Sequence, residues 1–500
     1  MWEDSLKAVG NEPAVIHEDE YRARQSRLLS QLRPNDLLII TAPHESTRSN
    51  DVHYPYRTSS DMLYMCGWED PESVFCAYNQ DGEWLTALFV QPSDVLKEIW
   101  EGRRPGLEGA EKDWPVDYAH SIDDVESTLN EILSKANRVF HRMGVMSSMD
   151  ELVVSSIKKR DRARQRLGTG PISVEDPSNK IAEMRLIKSS SEIEQMKFAS
   201  DVSSLAHIAA MRHGGKHATE NQLQSVIEGF FRYAGTSGWS YPSIVGSGEN
   251  ATILHYKENN SPCTDGDVVL IDAGAEFRGY AADITRSWPT NGIFTEPQKE
   301  IYQIVLDAQI AAINECVPGN PYTAPHEAAR KVLAEGLIRI GVISQTLEAA
   351  LDSKTGQLKD WYMHNTSHWI GLDVHDVGIY LPNGEPRKLR PGMCLTIEPG
   401  LYFGSWRPDV DCPERYSNIG IRIEDDVLVG EKGPIVLTEM CPKTINEIES
   451  ISKRTTNKLD DTFVHAMEGP ARFLPIVLGF FIASYYMSFG EDARAVVDTI

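Results

Sequence analysis

The stretch that most constrains this chain is VVLIDAGAEFRGYAADITRSW, residues 268–288. It holds two β-rich apolar runs around Glu276-Phe277-Arg278-Gly279, the pattern of a hairpin. Each run carries one aspartate in apolar company, Asp272 in the first and Asp283 in the second. A hairpin turning at Phe277-Arg278 sets Asp272 directly opposite Asp283. Opposed residues have Cβ atoms about 5 Å apart, where like charges destabilise the ladder. Desolvating two carboxylates among apolar side chains adds to that cost. A cation between them reverses the sign. The plain alternative has one aspartate buried and hydrogen-bonded and the other at a strand end. On this stretch alone both readings stand.

Three more segments extend the theme. CLTIEPG (394–400) is a β-rich run that ends on Glu398, just before Pro399 and Gly400. GIRIEDDVLVG (420–430) reads as a strand with Arg422 and Glu424 on one face. MHNTSHWIGLDVHDVG (363–378) gathers His364, His368 and His375, three of the chain's 14 histidines, with Asp373 and Asp376 beside them. An exposed strand end explains Glu398 alone, and a surface ion pair explains Arg422 with Glu424 alone. Neither explains the whole set of carboxylates and imidazoles.

The rest of the chain supplies the setting. Its 500 residues suggest two domains. The formal net charge of −24 argues against nucleic acid as a partner, which requires clustered Lys and Arg. Seven scattered cysteines without a CxxC pair point to reduced thiols and a cytoplasmic protein. The polar start MWEDSLKAVGNEPAVIHEDEYRARQ shows no secretory signal. Residues 1–176 read as an α/β domain, with a helix over 20–32, a buried strand over 36–41 and a hairpin turning at Asp81-Gly82. A polar stretch, 168–180, reads as a linker. Ser191 with Glu194 reads as the capping box of a long helix. The second domain extends over 177–457. A tail, 458–500, carries the uncharged segment 473–490, which is at the short limit for a membrane span. Packing on the body or in a subunit interface is favoured for it, with membrane contact as the alternative.

The contexts IDAG, ADITRSW, SHWIGLDVHDVG, TIEPGLY and IRIEDD place Asp272, Asp283, His368, Glu398 and Glu424 in the order of the five metal ligands of the pita-bread metallopeptidases. Within that superfamily the chain most resembles the bacterial Xaa-Pro aminopeptidases (aminopeptidase P). The resemblance runs from roughly residue 17 to 450. It includes YPYRTSSDMLYMCGWEDPESV (54–74), EIWEGRRPG (98–106) and IVGSGENATILHY (244–256).

That resemblance implies a creatinase-like α/β domain followed by an α+β pita-bread domain with a curved, mostly antiparallel sheet. It implies two Mn²⁺ per subunit, other divalent metals being possible, with Asp283 and Glu424 shared between them. Asp272 would complete one metal, and His368 and Glu398 the other. An oxygen-rich donor set agrees with manganese. The implied reaction releases the first residue from peptides with proline second. A hydroxide generated by the metals attacks, and Glu398 shuttles the proton. His375 would stabilise the developing oxyanion. His364 and His255 would flank the proline side, and Arg422 would orient Glu424. Trp100 matches a tryptophan that reaches a neighbouring subunit's site, so a homo-oligomer, a tetramer or dimer, is implied. One departure is Asn365, where the family usually has Gly; if that position needs φ > 0, Asn is the next most tolerant residue. The nearest rival is a prolidase, specific for Xaa-Pro dipeptides. A remote one is a binding protein on an inactive scaffold, which would have lost the ligands.

Overall fold

The first domain is organised around DLLIIT, strand β1 (Asp36–Thr41), in which every residue is buried. Alternate side chains enter different cores. Leu37 and Ile39 pack with Cys76, Phe89 and Val139 on one side. Leu38 and Ile40 pack with Phe75, Leu88 and Phe140 on the other. That is the behaviour of a central strand covered on both faces. Strands β2 (Val74–Gln80), β3 (Glu83–Val90), β4 (Tyr118–Ser121), β5 (Arg138–His141) and β6 (Ser173–Glu175) complete a six-stranded sheet, in the order β4-β3-β2-β1-β5-β6. The β2–β3 hairpin turns at Asp81-Gly82, both with positive φ, as the expected two-residue turn demands. The first long helix is Glu18–Leu29, slightly earlier than its sequence pattern suggests.

The computed structural model describes residues 2–452, so the apolar segment 473–490 lies outside the described residues. The stretch 168–180 is not simply a linker. It contains β6, paired in parallel with β5, and the start of the helix Ser178–Arg185. The long helix is Ser190–His213, and its capping box is Ser189 with Glu192, two residues before the pair read from sequence. The Lys188 N–H donates to the Gly392 carbonyl at 2.8 Å and its ammonium pairs with Asp376. That anchors the chain just before Ser189 and selects the first of the competing serines.

The second domain is a set of antiparallel strands: β7 (Ile244–Ser247), β8 (Val268–Asp272), β9 (Ala275–Phe277), β10 (Tyr280–Ala281), β11 (Thr285–Pro289), β12 (Cys394–Ile397), β13 (Gly400–Tyr402), β14 (Gly420–Arg422) and β15 (Asp425–Val429). The first hairpin turns at Arg278-Gly279, one residue later than expected, with φ of 49° and 83°. Asp272 therefore pairs with Thr285, not with Asp283. A later turn slides the register by two positions, which keeps every side chain on its face. Asp283 still shares a face with Asp272, on the diagonal.

Each hairpin is interrupted where a carboxylate sits. Asp272 ends β8, Asp283 lies between β10 and β11, Glu398 follows β12, and Glu424 lies between β14 and β15. At the first break the strands approach so closely that a Cβ on Gly274 would meet the Ala282 carbonyl oxygen at 1.8 Å. Helices Ser190–His213, Glu220–Tyr233, Glu296–Asn314 and Ala324–Arg339 pack with these strands in one core, through Val202, Phe230, Ile304 and Leu333 against Ile271, Leu401 and Ile423. A second core crosses the domain boundary and joins Met62 and Tyr64 to Tyr280, Ile370 and Leu372. Among the described residues, no helix is long and apolar enough to cross a membrane.

Candidate metal centre

The interrupted hairpins and the loop after Ser367 converge on one cavity of about 350 Å³. Asp272, Asp283, His368, Glu398 and Glu424 all line it, together with His255 and His375. One donor atom from each of Asp283, His368 and Glu424 lies within 4.8 Å of the others. The His368 ring is set by its far side. Nδ1 donates to the Trp369 carbonyl at 3.1 Å, which leaves Nε2 facing Asp283 Oδ2 at 3.4 Å and Glu398 Oε1 at 3.7 Å. A backbone carbonyl that fixes the tautomer in this way is what a metal-binding imidazole needs.

The carboxylates are held, not merely gathered. Arg422 donates to Asp272 Oδ2 at 2.7 Å and to Thr285 Oγ1 at 3.0 Å. The Thr285 hydroxyl in turn donates to Glu424 Oε2 at 2.6 Å. Arg422 thus orients Glu424 through Thr285, and its direct ion pair is with Asp272. The Tyr241 hydroxyl bridges Asp272 and Asp283. The Glu398 N–H donates to the Thr366 carbonyl at 2.8 Å, which ties the β12 break to the histidine loop.

The electrostatics of the cluster are those of crowded carboxylates. Burial lifts the Glu398 carboxyl to about 7, against the pull of His368 and Arg422. Burial, then the charges of Asp283 and Glu398, push Glu424 well above the carboxylate range. Asp283 is raised by burial and by Asp272. Burial also raises Asp272, but the charge and hydrogen bond of Arg422 together with the Tyr241 hydroxyl outweigh it and hold that carboxyl below its ordinary value. His368 is lowered by burial, yet its contacts with Asp283 and Glu398 carry it up to about 9. Four carboxylates thus face one guanidinium and one imidazole, and proton uptake at Asp283, Glu398 and Glu424 relieves the repulsion. A divalent cation relieves the same repulsion, so the donor set fits a metal.

The other residues singled out from sequence are placed as follows. His375 is exposed at the cavity, its ring edge-on to His368 with centroids 4.4 Å apart. His255 is likewise exposed at the cavity. His364 is not on the cavity wall. It stands behind Glu398, with Nδ1 donating to Asn365 O at 2.8 Å and Nε2 accepting from the Tyr402 hydroxyl at 2.8 Å. That hydroxyl accepts from Arg422 at 3.0 Å. Burial lowers His364 to about 3, so it stays neutral. Asn365 is not among the residues with positive φ, so it meets no special backbone demand. Trp100, on the helix Val95–Glu101, is 87% exposed and does not line this cavity.

Sequence reading missed Tyr241, Thr285 and Tyr402, and the cavity residues Gln224, Ser243 and Lys257. Local signs existed for several of them: Thr285 and Tyr402 lie within ADITRSW and TIEPGLY, and Tyr241, Ser243 and Lys257 border the 244–256 motif.

Residues 194–431 match the model of metallopeptidase family M24, and residues 21–140 match the aminopeptidase P N-terminal domain. The chain is 39% identical to an Escherichia coli Xaa-Pro aminopeptidase over 438 residues, spanning 87% of this chain and 98% of that one. Among solved structures it is similar to the Pseudomonas aeruginosa aminopeptidase PepP, with a TM-score of 0.84 and 37% identity, covering 88% of this chain and 99% of the other. A zinc-substituted Escherichia coli aminopeptidase P in complex with product also matches, at a TM-score of 0.84 and 38% identity, covering 89% and 100%.

Proposed function

The chain belongs to metallopeptidase family M24, as a hydrolase with an aminopeptidase P N-terminal domain, and from that premise we propose that it releases the first residue from peptides with proline second. The observation that carries this reading is the convergence of Asp272, Asp283, His368, Glu398 and Glu424 on one cavity. Four carboxylates and one imidazole, without a thiolate, suit two Mn²⁺ ions. Asp283 and Glu424, whose donor atoms group with that of His368 within 4.8 Å, would be shared. Asp272 would hold one ion, and His368 with Glu398 the other. When bound, the ions supply a water acidic enough to ionise near neutral pH and a positive charge beside the substrate carbonyl.

The chain's own residues do the rest. Glu398, on the cavity wall beside His368, takes the proton of the attacking water at a side-chain oxygen and passes it to the leaving nitrogen. That nitrogen belongs to proline and has no N–H of its own, so it must be protonated from outside. His375 stands at the cavity mouth, where partial desolvation and the neighbouring rings of His368 and His255 lower its affinity for a second proton. It donates a hydrogen bond to the carbonyl oxygen as charge develops there. His255 stands at the same opening and contacts the proline side. His364 acts from behind, through Tyr402 and Arg422. His255, Lys257 and His375 are exposed at the opening, which supports entry of a longer peptide and so an aminopeptidase over a prolidase.

A second copy of the chain would cover Val95, Leu96, Ile99 and Trp100, all exposed on one short helix, which supports an oligomer. Seven free cysteines support a cytoplasmic protein.

Two variants separate the roles. Glu424→Ala should lose both bound metal and hydrolysis, because a shared ligand is gone. His375→Ala should keep its metal while kcat falls by about 100-fold or more, as for a lost oxyanion donor. Full activity in the first variant, or loss of metal in the second, would contradict the assignments.

A further inference from the structure

Among the described residues, no hydrogen bond reaches the His375 ring, whose neighbour is the edge of His368. Its position is therefore set by the loop that carries it, 371–376, which has no regular structure. That loop is tied to the hairpin at its start, where the Ala281 N–H donates to the Gly371 carbonyl at 2.8 Å, and is held further along from outside the sheet. Arg57, in the first domain, donates from Nη2 to the Leu372 carbonyl at 2.5 Å and to the Gly279 carbonyl at 3.3 Å. Its Nε pairs with Glu276 Oε2 at 2.6 Å, and Nη1 donates to Ser60 Oγ at 3.1 Å. The Ser60 hydroxyl donates to Asp373 Oδ1 at 2.6 Å. Arg185, almost fully buried, grips the far side of the loop through Asp373 at 2.7 Å and Asp376 at 2.5 Å.

Arg57 thus spans two catalytic segments with one planar group. Glu276 and Gly279 are the tip of the hairpin that bears Asp272 and Asp283. Leu372 lies midway between His368 and His375. The hairpin tip leaves no slack: a Cβ on Gly279 would lie 2.7 Å from Leu63 of the first domain and 3.2 Å from Leu372. A guanidinium presents donors in fixed directions, so it sets the distance between its acceptors in a way a single ammonium does not.

We propose that Arg57 is a positioning residue for hydrolysis, through which the first domain holds His375 in register with the carboxylate hairpin. This rests on the reading of His375 given above. It makes the first domain part of the catalytic apparatus within a single chain, and not only a means of association or substrate selection. Side chains displaced by an ångström at a reacting centre cost about 100-fold in rate, and metal ligation does not depend on the His375 ring.

The test is a cycle of Arg57→Met and His375→Ala in the manganese-loaded enzyme, with kcat, KM, metal content and Tm measured for each. Arg57→Met should keep full metal content and lower kcat by about 10- to 100-fold, with KM changed by less than about threefold. Arg57→Lys should recover only part of that loss. In the His375→Ala background, Arg57→Met should have little further effect, because the group it positions is absent. A wild-type kcat in Arg57→Met, or an equal loss in both backgrounds, would overturn the proposal. Should Arg57→Met fail to fold, Ser60→Ala removes the neighbouring tie to Asp373 and must show the same dependence on His375. A wild-type kcat in His375→Ala alone would instead overturn the reading on which the proposal rests, and the proposal with it.

Discussion

Replacing Glu424 with glutamine keeps the shape of the side chain and removes one charge from the metal centre. Glu424 is buried, and a donor atom of Asp283 lies within 4.8 Å of one of its own. At an effective dielectric of about 20, two like charges at that separation repel by about 3 kcal/mol. Protonation at Glu398 and Glu424 already relieves part of this. The gain for Glu424→Gln in metal-free protein at pH 8 is therefore smaller, about 2 kcal/mol, or about 4–8 °C in Tm for a domain of this size. Manganese at one hundred times its dissociation constant stabilises the wild type by about 2.7 kcal/mol, or about 5–10 °C. A variant lacking the shared ligand should show almost none of that rise. The order of stability should therefore invert: the variant melts above wild type with chelator and below it with Mn²⁺. Thermal scans of both proteins in both conditions decide the matter. A variant less stable than wild type in chelator would mean that Glu424 serves the fold as a hydrogen-bond acceptor. An undiminished response to Mn²⁺ would mean that it is not a shared ligand.

Two further expectations concern pH and the scaffold. His368 is raised to about 9 without metal, and a cation needs its Nε2 lone pair, so Mn²⁺ must displace that proton. Affinity should rise by at least about tenfold per pH unit between 7 and 9, with more than one proton released at pH 7.5 in calorimetry across buffers of different ionisation enthalpy, because Glu424 gives up its proton together with His368. An affinity flat over that range would refute the His368 assignment. Arg286, fully buried, donates to the Glu424 carbonyl at 2.6 Å and to Asp425 at 2.7 Å. Arg286→Met should destabilise the protein by about 2–3 kcal/mol in urea unfolding, since it removes one of two cations from buried Asp425, leaving Lys443, and takes a donor from the Glu424, Cys441 and Pro442 carbonyls; a change below about 1 kcal/mol would contradict that role.

The shared face of Asp272 and Asp283 was legible in the sequence because it rests on residue type and strand parity, whereas the five-residue donor set came from the family resemblance. The hairpin turn was misplaced by one residue, since Arg278-Gly279 lacks the Asn-Gly signature of such turns. The conclusion survived because the error moved the register by two, an even number. The capping box was misplaced because three successive serines offer competing starts, and the choice is made by Lys188 binding the remote Gly392 and Asp376. The edge strand β6 was hidden because Ser-Val-Glu is polar and its partner lies about 35 residues away in the chain. Asp373 and Asp376 stood out beside the histidines, yet their partners Ser60, Arg185 and Lys188 are distant in sequence. Tyr241 and Thr285 belong to the same class: their roles exist only once the strands are assembled.

The account's central claim is release of the first residue from a peptide whose chain continues past proline. With Mn²⁺ present, the purified protein should be given an Xaa-Pro dipeptide and a longer Xaa-Pro-Yaa peptide, and the free first residue followed over time. The claim predicts cleavage of the longer peptide, abolished by chelator and restored by Mn²⁺. Cleavage of the dipeptide alone would contradict it and make the enzyme a prolidase, with the same side chains in a cavity closed after proline.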